Sequence, residues 1–77
     1  MKYATKLRMM RSRANYSQRA LGELIEVDFR DISKIEGGWP PPPDVDRRIR
    51  EALGWTDEID THLNAIGELA GSPANGK

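Results

Sequence analysis

Apolar residues recur along this chain at intervals of three and four positions, the spacing that places side chains on one face of an α-helix. In the first segment they fall at Tyr3, Leu7, Met10 and Ala14, which predicts a helix over residues 3–14. No run alternates apolar and polar residues as a half-buried strand does. The pattern therefore predicts an all-α protein of five short helices.

Two short helices are predicted next, each opened by a residue that can cap a helix N-terminus. The side chains of Ser17 and Asp28 can each accept a hydrogen bond from a backbone N–H of the first turn, which has no partner inside the helix. The predicted ranges are 17–25 and 28–36. Their inward positions are Leu21, Leu24 and Ile25 in the first and Phe29, Ile32 and Ile35 in the second.

A glycine pair and a proline run separate these helices from the rest of the chain. Gly37-Gly38 ends the third helix, since glycine readily adopts the left-handed backbone of a helix C-terminus. Trp39 and Pro40 to Pro43 predict a stiff connector, because four successive prolines favour the polyproline II conformation. Asp44 is the predicted cap of a fourth helix, over residues 44–53, with Val45, Ile49 and Leu53 inward and Gly54 at its end.

The last predicted helix covers residues 57–70. Thr56 is its predicted cap, and the preceding Trp55 is expected to fold back onto the fourth helix. Residues 71–77 contain little to bury and predict a disordered tail. The chain is therefore expected to form one domain over residues 1–70.

Length and composition restrict the class of protein. Seventy-seven residues suffice for one domain, and the absence of cysteine excludes disulfides and Cys-ligated metal sites. No stretch reaches about 18 consecutive apolar residues, and the first residues lack the apolar run of a signal peptide. We therefore expect a soluble cytoplasmic protein that does not enter a membrane.

Formal charge is unevenly distributed although it sums to zero. Residues 1–22 carry six basic and no acidic side chains. Residues 1–38 hold eight basic and five acidic groups, and residues 39–77 hold four and seven, so the halves carry +3 and −3. This asymmetry indicates a polyanion-facing N-terminal half, the alternative being a helix with an ordinary solvated basic face.

Residues 7–38 have the layout of a helix-turn-helix unit preceded by a basic helix. Gly22 would allow the two short helices to approach closely, and Val27 would anchor the turn between them. Here the chain resembles the phage repressor/Cro-like, or xenobiotic-response-element type, helix-turn-helix family. The matching positions are Leu7-x-x-x-Arg11, Ser17-Gln18-x-x-Leu21, Val27, Ile32-Ser33-Lys34-Ile35-Glu36-x-Gly38, a following proline, and Ala52-Leu53-Gly54.

The resemblance implies a role for each matching position. Arg11 and Glu36 would form an internal ion pair between the first and third helices, and residues 28–36 would be the recognition helix in the DNA major groove. Base contacts would come from Phe29, Arg30, Ser33 and Lys34. Phosphate contacts would come from Arg13, Gln18 and Arg19.

Three departures from the family pattern keep a second interpretation open. Glu26 stands at the turn position that usually holds glycine, and Gly22 replaces the usual alanine. Asp28 and Asp31 place negative charge on the predicted recognition helix, which repels phosphate although aspartate can accept from cytosine N4. The fold could instead serve protein interaction, as in an antitoxin or an accessory subunit.

Nothing in the sequence indicates catalysis or a cofactor. The one histidine, His62, has no second His or Cys with which to bind a metal. The serines lack a nearby histidine in sequence, and Gly37-Gly38 lacks the Lys-Ser/Thr that follows a phosphate-binding loop. We therefore expect no enzyme activity, no catalytic residues, no metal and no cofactor.

The last two helices are also candidates for a dimer contact. Ile59, Leu63, Ile66 and Ala70 are spaced four, three and four, which suits either the domain's own core or a dimer seam. We expect a sequence-specific regulator of transcription, a small repressor of prokaryotic, phage or mobile-element origin that is nucleoid-associated. It would bind double-stranded DNA as a homodimer through helices 44–53 and 57–70.

Overall fold

The computed structural model describes residues 1–75, which form five α-helices and no strand, as the sequence predicts. None of the helices in this part of the chain is both long and apolar enough to cross a membrane. The helices are α1 (Tyr3–Arg13), α2 (Gln18–Ile25), α3 (Phe29–Glu36), α4 (Pro43–Leu53) and α5 (Asp57–Asn75).

Three of the four predicted N-caps are confirmed. Ser17 Oγ accepts from the Ala20 N–H at 2.9 Å. Asp28 Oδ1 accepts from the Arg30 N–H at 2.9 Å, and Thr56 Oγ1 accepts from the Ile59 N–H at 3.2 Å. Each side chain satisfies a first-turn donor that the helix itself leaves unpaired.

The fourth predicted cap, Asp44, is wrong. Helix α4 begins one residue earlier at Pro43, with Pro42 in the capping position and no side-chain cap. Proline suits the first helical position because its ring fixes a helical φ and the N–H it lacks would have had no helical partner. Asp44 instead lies within 2.6 Å of Arg47 and 3.3 Å of Arg48.

The glycine ends of α3 and α4 are confirmed, and the end of α5 differs from the prediction. Gly38 has φ +115° and Gly54 has φ +64°, both left-handed. Trp55 folds back after Gly54, with its N–H donating to the Arg50 carbonyl at 2.9 Å. Helix α5 continues to Asn75 instead of ending at residue 70. The helix therefore covers residues 71–75 of the segment predicted as a tail, and residues 76–77 lie outside the described residues.

The core gathers apolar side chains from all five helices. Two predicted inward residues, Ala14 and Leu24, are exposed instead. Ala14 follows the last turn of α1, and Leu24 lies outside the face that α2 buries through Leu21 and Ile25. The buried apolar residues are Leu7, Met10, Leu21, Ile25, Ile32, Ile35, Ile49, Leu53, Trp55 and Leu63.

Polar contacts that the sequence does not predict join α1 to the last two helices. Buried Lys6 pairs with Asp60 at 2.9 Å, and the indole N–H of Trp55 donates to the same carboxylate at 3.1 Å. The hydrogen bond from Lys6 is the largest of the effects that lower the pKa of Asp60. Tyr3 donates its hydroxyl to Asp46 at 2.5 Å, and burial together with this bond raises the Tyr3 pKa. These contacts join α1 to α4 through Tyr3 and Asp46 and to α5 through Lys6 and Asp60.

Candidate nucleic-acid interface

Helices α2 and α3 are joined by a tight turn that Glu26 opens. Glu26 has φ +62° and ψ +43°, so the position expected to prefer glycine does have a left-handed backbone. The next N–H, that of Val27, donates to the Gly22 carbonyl at 2.9 Å. Arg48 of α4 donates to the Ile25 carbonyl at 3.1 Å, satisfying one acceptor at the end of α2.

Gly22 lies where α2 and α3 approach most closely, as predicted. A Cβ at this position would lie 2.6 Å from the Val27 carbonyl oxygen and 3.1 Å from the Phe29 nitrogen. Both are backbone atoms, so the contact could not be relieved by a side-chain rotation. The angle between α2 and α3 therefore depends on the absence of a side chain at Gly22.

Helix α3 separates its apolar and polar residues onto opposite faces. Ile32 and Ile35 are buried, whereas Arg30, Ser33 and Lys34 are exposed on the outer face. Among the described residues, none of these three side chains has a hydrogen bond or an ion pair. The outer face thus offers a guanidinium, a hydroxyl and an ammonium group to a ligand.

The predicted Arg11–Glu36 pair is present and is bidentate. Arg11 donates from Nε to Glu36 Oε2 at 2.7 Å and from a terminal nitrogen to Oε1 at 3.0 Å. A second terminal nitrogen donates to the Tyr16 carbonyl at 2.9 Å. Burial alone would raise the pKa of Glu36, but hydrogen bonds from Arg11 and Gln18 outweigh it and lower that pKa. The pair joins the end of α3 to α1 and to the loop before α2.

Gln18 and Arg19, two of the predicted phosphate contacts, each contact another side chain, although Arg19 is exposed. The Gln18 amide nitrogen donates to Glu36 Oε1 at 3.1 Å, so this side chain belongs to the buried ionic cluster. The Arg19 guanidinium lies over the Phe29 ring, 4.3 Å from its centroid. Arg13 is exposed at the end of α1. Of the three predicted phosphate contacts, only Arg13 has no side-chain hydrogen bond, ion pair or aromatic contact among the described residues.

Acidic side chains surround the start of α3. Asp28 uses its carboxylate to cap the helix, and Asp31 is half-buried. Glu23 and Glu26 are exposed and line a crevice of about 430 Å³ together with Arg19, Phe29 and Arg30. The outer face of α3 therefore carries the basic Arg30 and Lys34, and the crevice beside it is acidic.

Arg8 is a basic residue near this surface that sequence reasoning missed. Its guanidinium lies 3.7 Å from the Glu36 carboxylate and 3.4 Å from the Glu36 carbonyl oxygen, while its side chain stays largely exposed. The available signal was its place in the acid-free N-terminal segment, three residues before Arg11. Residues so spaced lie on adjacent turns of one helix face.

Comparison of the chain with protein-family models, with curated proteins and with solved structures found no match.

Proposed function

We propose that this protein binds double-stranded DNA sequence-specifically and regulates transcription as a small repressor. The observation that carries the proposal is the outer face of α3, where Arg30, Ser33 and Lys34 are exposed and unpaired while Ile32 and Ile35 fix the opposite face. A helix of this kind, held next to a second short helix, has the dimensions that the major groove accepts. The resemblance to repressor-like domains supports the same conclusion.

The mechanism would be occupancy of an operator. Arg30 can donate both hydrogen bonds that guanine O6 and N7 accept, and Lys34 can reach a base or a phosphate. Arg13 and the N-terminal end of α2 would fix the register on the phosphates. Such a protein would act in a prokaryotic, phage or mobile-element setting, associated with the nucleoid.

A homodimer through α4 and α5 belongs to this proposal. Two-fold related half-sites about one helical turn apart would place one α3 in each of two successive major grooves. Two residues of the predicted dimer seam are used by the domain itself, because Leu63 is buried in the core and Ile59 packs against the core. Any dimer contact must therefore use the outer faces of these helices.

A protein-interaction module is the second candidate, and one observation favours it. Leu24 is 52% exposed, the largest value among the exposed large apolar residues. It lines a groove of about 510 Å³ with Glu26, Glu51 and Arg48. Arg48 is paired with Asp44, whereas neither glutamate has a cationic partner within 4 Å in the described part of the chain. A partner segment with apolar and basic side chains would suit this groove.

Salt dependence separates the two candidates. We would measure binding to a labelled random-sequence duplex by fluorescence anisotropy at about 50 and about 200 mM salt, with the mass in solution. DNA binding predicts that log K falls linearly with log salt, by about 0.9 per phosphate contacted. A lack of binding at low salt would contradict the DNA proposal and favour the interaction module.

Replacing Arg30 by alanine is expected to reduce discrimination at one base pair. The loss of two hydrogen bonds to guanine should cost about 1–3 kcal/mol on a preferred duplex and much less on a scrambled one. The measurement is the ratio of the two dissociation constants. Arg47→Ala is the control, because Arg47 is also exposed but lies on α4 beside Asp44. An equal loss on both duplexes would show that Arg30 contacts phosphate.

A further inference from the structure

Arg19 and Phe29 form a stacked pair across the junction of α2 and α3. Arg19 is the second residue of α2, and Phe29 is the first residue of α3. The guanidinium carbon lies 4.3 Å from the ring centroid, so the cation is held over the aromatic face. The start of a recognition helix is the part that contacts base edges in domains of this layout. The stacking thus brings a side chain of α2 to that position.

The N–H groups of Arg19 are open to a ligand. Glu23, one turn along α2, is not within 4 Å of the Arg19 guanidinium, and within residues 1–75 Arg19 has no side-chain hydrogen bond. A guanidinium that lies over an aromatic ring still has N–H donors available to acceptors beside the ring. A planar pair of acceptors, such as guanine O6 and N7, matches this arrangement.

The acidic crevice argues against a phosphate as the ligand of Arg19. Glu23, Glu26 and Asp28 line the same crevice as Arg19 and Phe29. Their charges would repel a phosphate, whereas a base edge carries no formal charge. Phe29 is half-buried and lines this crevice, so part of its apolar side chain is accessible to a ligand. The thymine C5-methyl is the apolar group of the major groove.

We infer that Arg19 and Phe29 act as one reading unit for a thymine–guanine step, Phe29 contacting the thymine methyl and Arg19 donating to guanine O6 and N7. The 4.3 Å contact between guanidinium and ring places the two side chains close enough to meet neighbouring base pairs, whose rise is about 3.4 Å. The inference rests on the proposed DNA-binding function. It makes Arg19 a specificity-determining residue instead of the phosphate contact predicted from the sequence.

The first experiment is selection of preferred duplexes from a randomised pool by the full chain, followed by binding measurements on the selected duplex and a scrambled one. We expect the selected duplexes to share a TG step. Arg19→Lys keeps the charge but loses the paired donors, so it should weaken binding to the selected duplex about tenfold or more and leave the scrambled duplex within about twofold. The control Arg13→Lys should show no such selectivity.

Altered bases then test each contact separately. Deoxyuridine in place of the thymine removes only the methyl group and should weaken wild-type binding about fourfold. Replacing the guanine by 7-deazaguanine removes the N7 acceptor, and this should weaken the wild type but not Arg19→Ala, which has no donor at that position. Circular dichroism and the thermal midpoint of each variant confirm that the fold is retained.

The outcomes are distinguishable. Equal weakening of the selected and scrambled duplexes by Arg19→Lys would overturn the inference and restore Arg19 as a phosphate contact. A selected sequence without a TG step would also overturn it while leaving DNA binding intact. Failure to bind or enrich any duplex would refute the proposed function itself, and the reading unit with it.

Discussion

Replacing Glu36 by alanine is expected to destabilise the protein by about 3 kcal/mol. The Glu36 side chain is only 4% exposed and accepts three hydrogen bonds, two from Arg11 and one from Gln18. Its removal leaves a largely buried guanidinium without its partner, and losing one member of such a pair costs about 3–5 kcal/mol. We take the low end of that range because Arg11 can partly reach water. Urea denaturation followed by circular dichroism measures the change.

The control for this substitution is Glu23→Ala on the exposed face of α2. Glu23 has no cationic partner within 4 Å in the described part of the chain, so its replacement should change the free energy of unfolding by no more than about 0.5 kcal/mol. If both variants lost the same small amount, the Arg11–Glu36 pair would not be what holds α3 to α1.

The same carboxylate predicts how stability changes with pH. The pKa of Glu36 is lower in the folded protein than its ordinary value of 4.5. A group of this kind stabilises the fold above its unfolded pKa, and the contribution is lost as the pH falls through the folded pKa. The difference in unfolding free energy between wild type and Glu36→Ala should therefore be constant near neutral pH and shrink below about pH 4.5. A difference that grew on acidification would contradict the lowered pKa.

Gly22→Ala is the substitution with the second largest expected effect, a loss of about 2 kcal/mol. Alanine would favour the helix by about 1 kcal/mol, but its Cβ would lie 2.6 Å from a backbone oxygen of the turn. Separating α2 from α3 to relieve this contact costs about 1–3 kcal/mol or more, as overpacking usually does. Thermal and urea unfolding would measure the sum, and specific DNA binding should fall further because α3 changes its angle.

Gly37→Ala is the matched control for Gly22→Ala. Gly37 also has a negative φ, −88°, and its added Cβ would approach the nearest backbone oxygen no closer than 3.3 Å. We expect its stability to stay within about 1 kcal/mol of wild type. Stabilisation by Gly22→Ala would mean that helix propensity outweighs the contact between α2 and α3.

The parts of the structure that the sequence predicts are those decided by neighbouring residues. Helix starts at Ser17, Asp28 and Thr56 follow from side chains that cap their own first turn. The ends at Gly38 and Gly54 follow from the left-handed backbone that glycine tolerates. The Arg11–Glu36 contact is an exception, because 25 residues separate the pair and it was predicted through a family resemblance.

The parts that the sequence did not predict depend on how the helices pack. The Lys6–Asp60 pair spans 54 residues, and neither its existence nor its burial is visible in the local pattern. Leu24 fits the helical spacing, but it lies outside the face that α2 buries through Leu21 and Ile25. The Arg19–Phe29 stacking and the use of Gln18 in the Glu36 cluster depend on the angle between α2 and its neighbours, which apolar spacing alone does not determine.

The two tryptophans occupy contrasting environments and should give separate fluorescence signals. Trp55 is 3% exposed, with the Arg50 guanidinium over its ring and the Tyr3 ring 5.0 Å away. Trp39 is 45% exposed in the loop that follows α3. A soluble quencher such as acrylamide should therefore act mainly on Trp39, while a red shift of Trp55 emission should accompany unfolding. A Trp39→Phe variant would report folding alone, and Trp55→Phe would leave an emitter in the loop that follows α3.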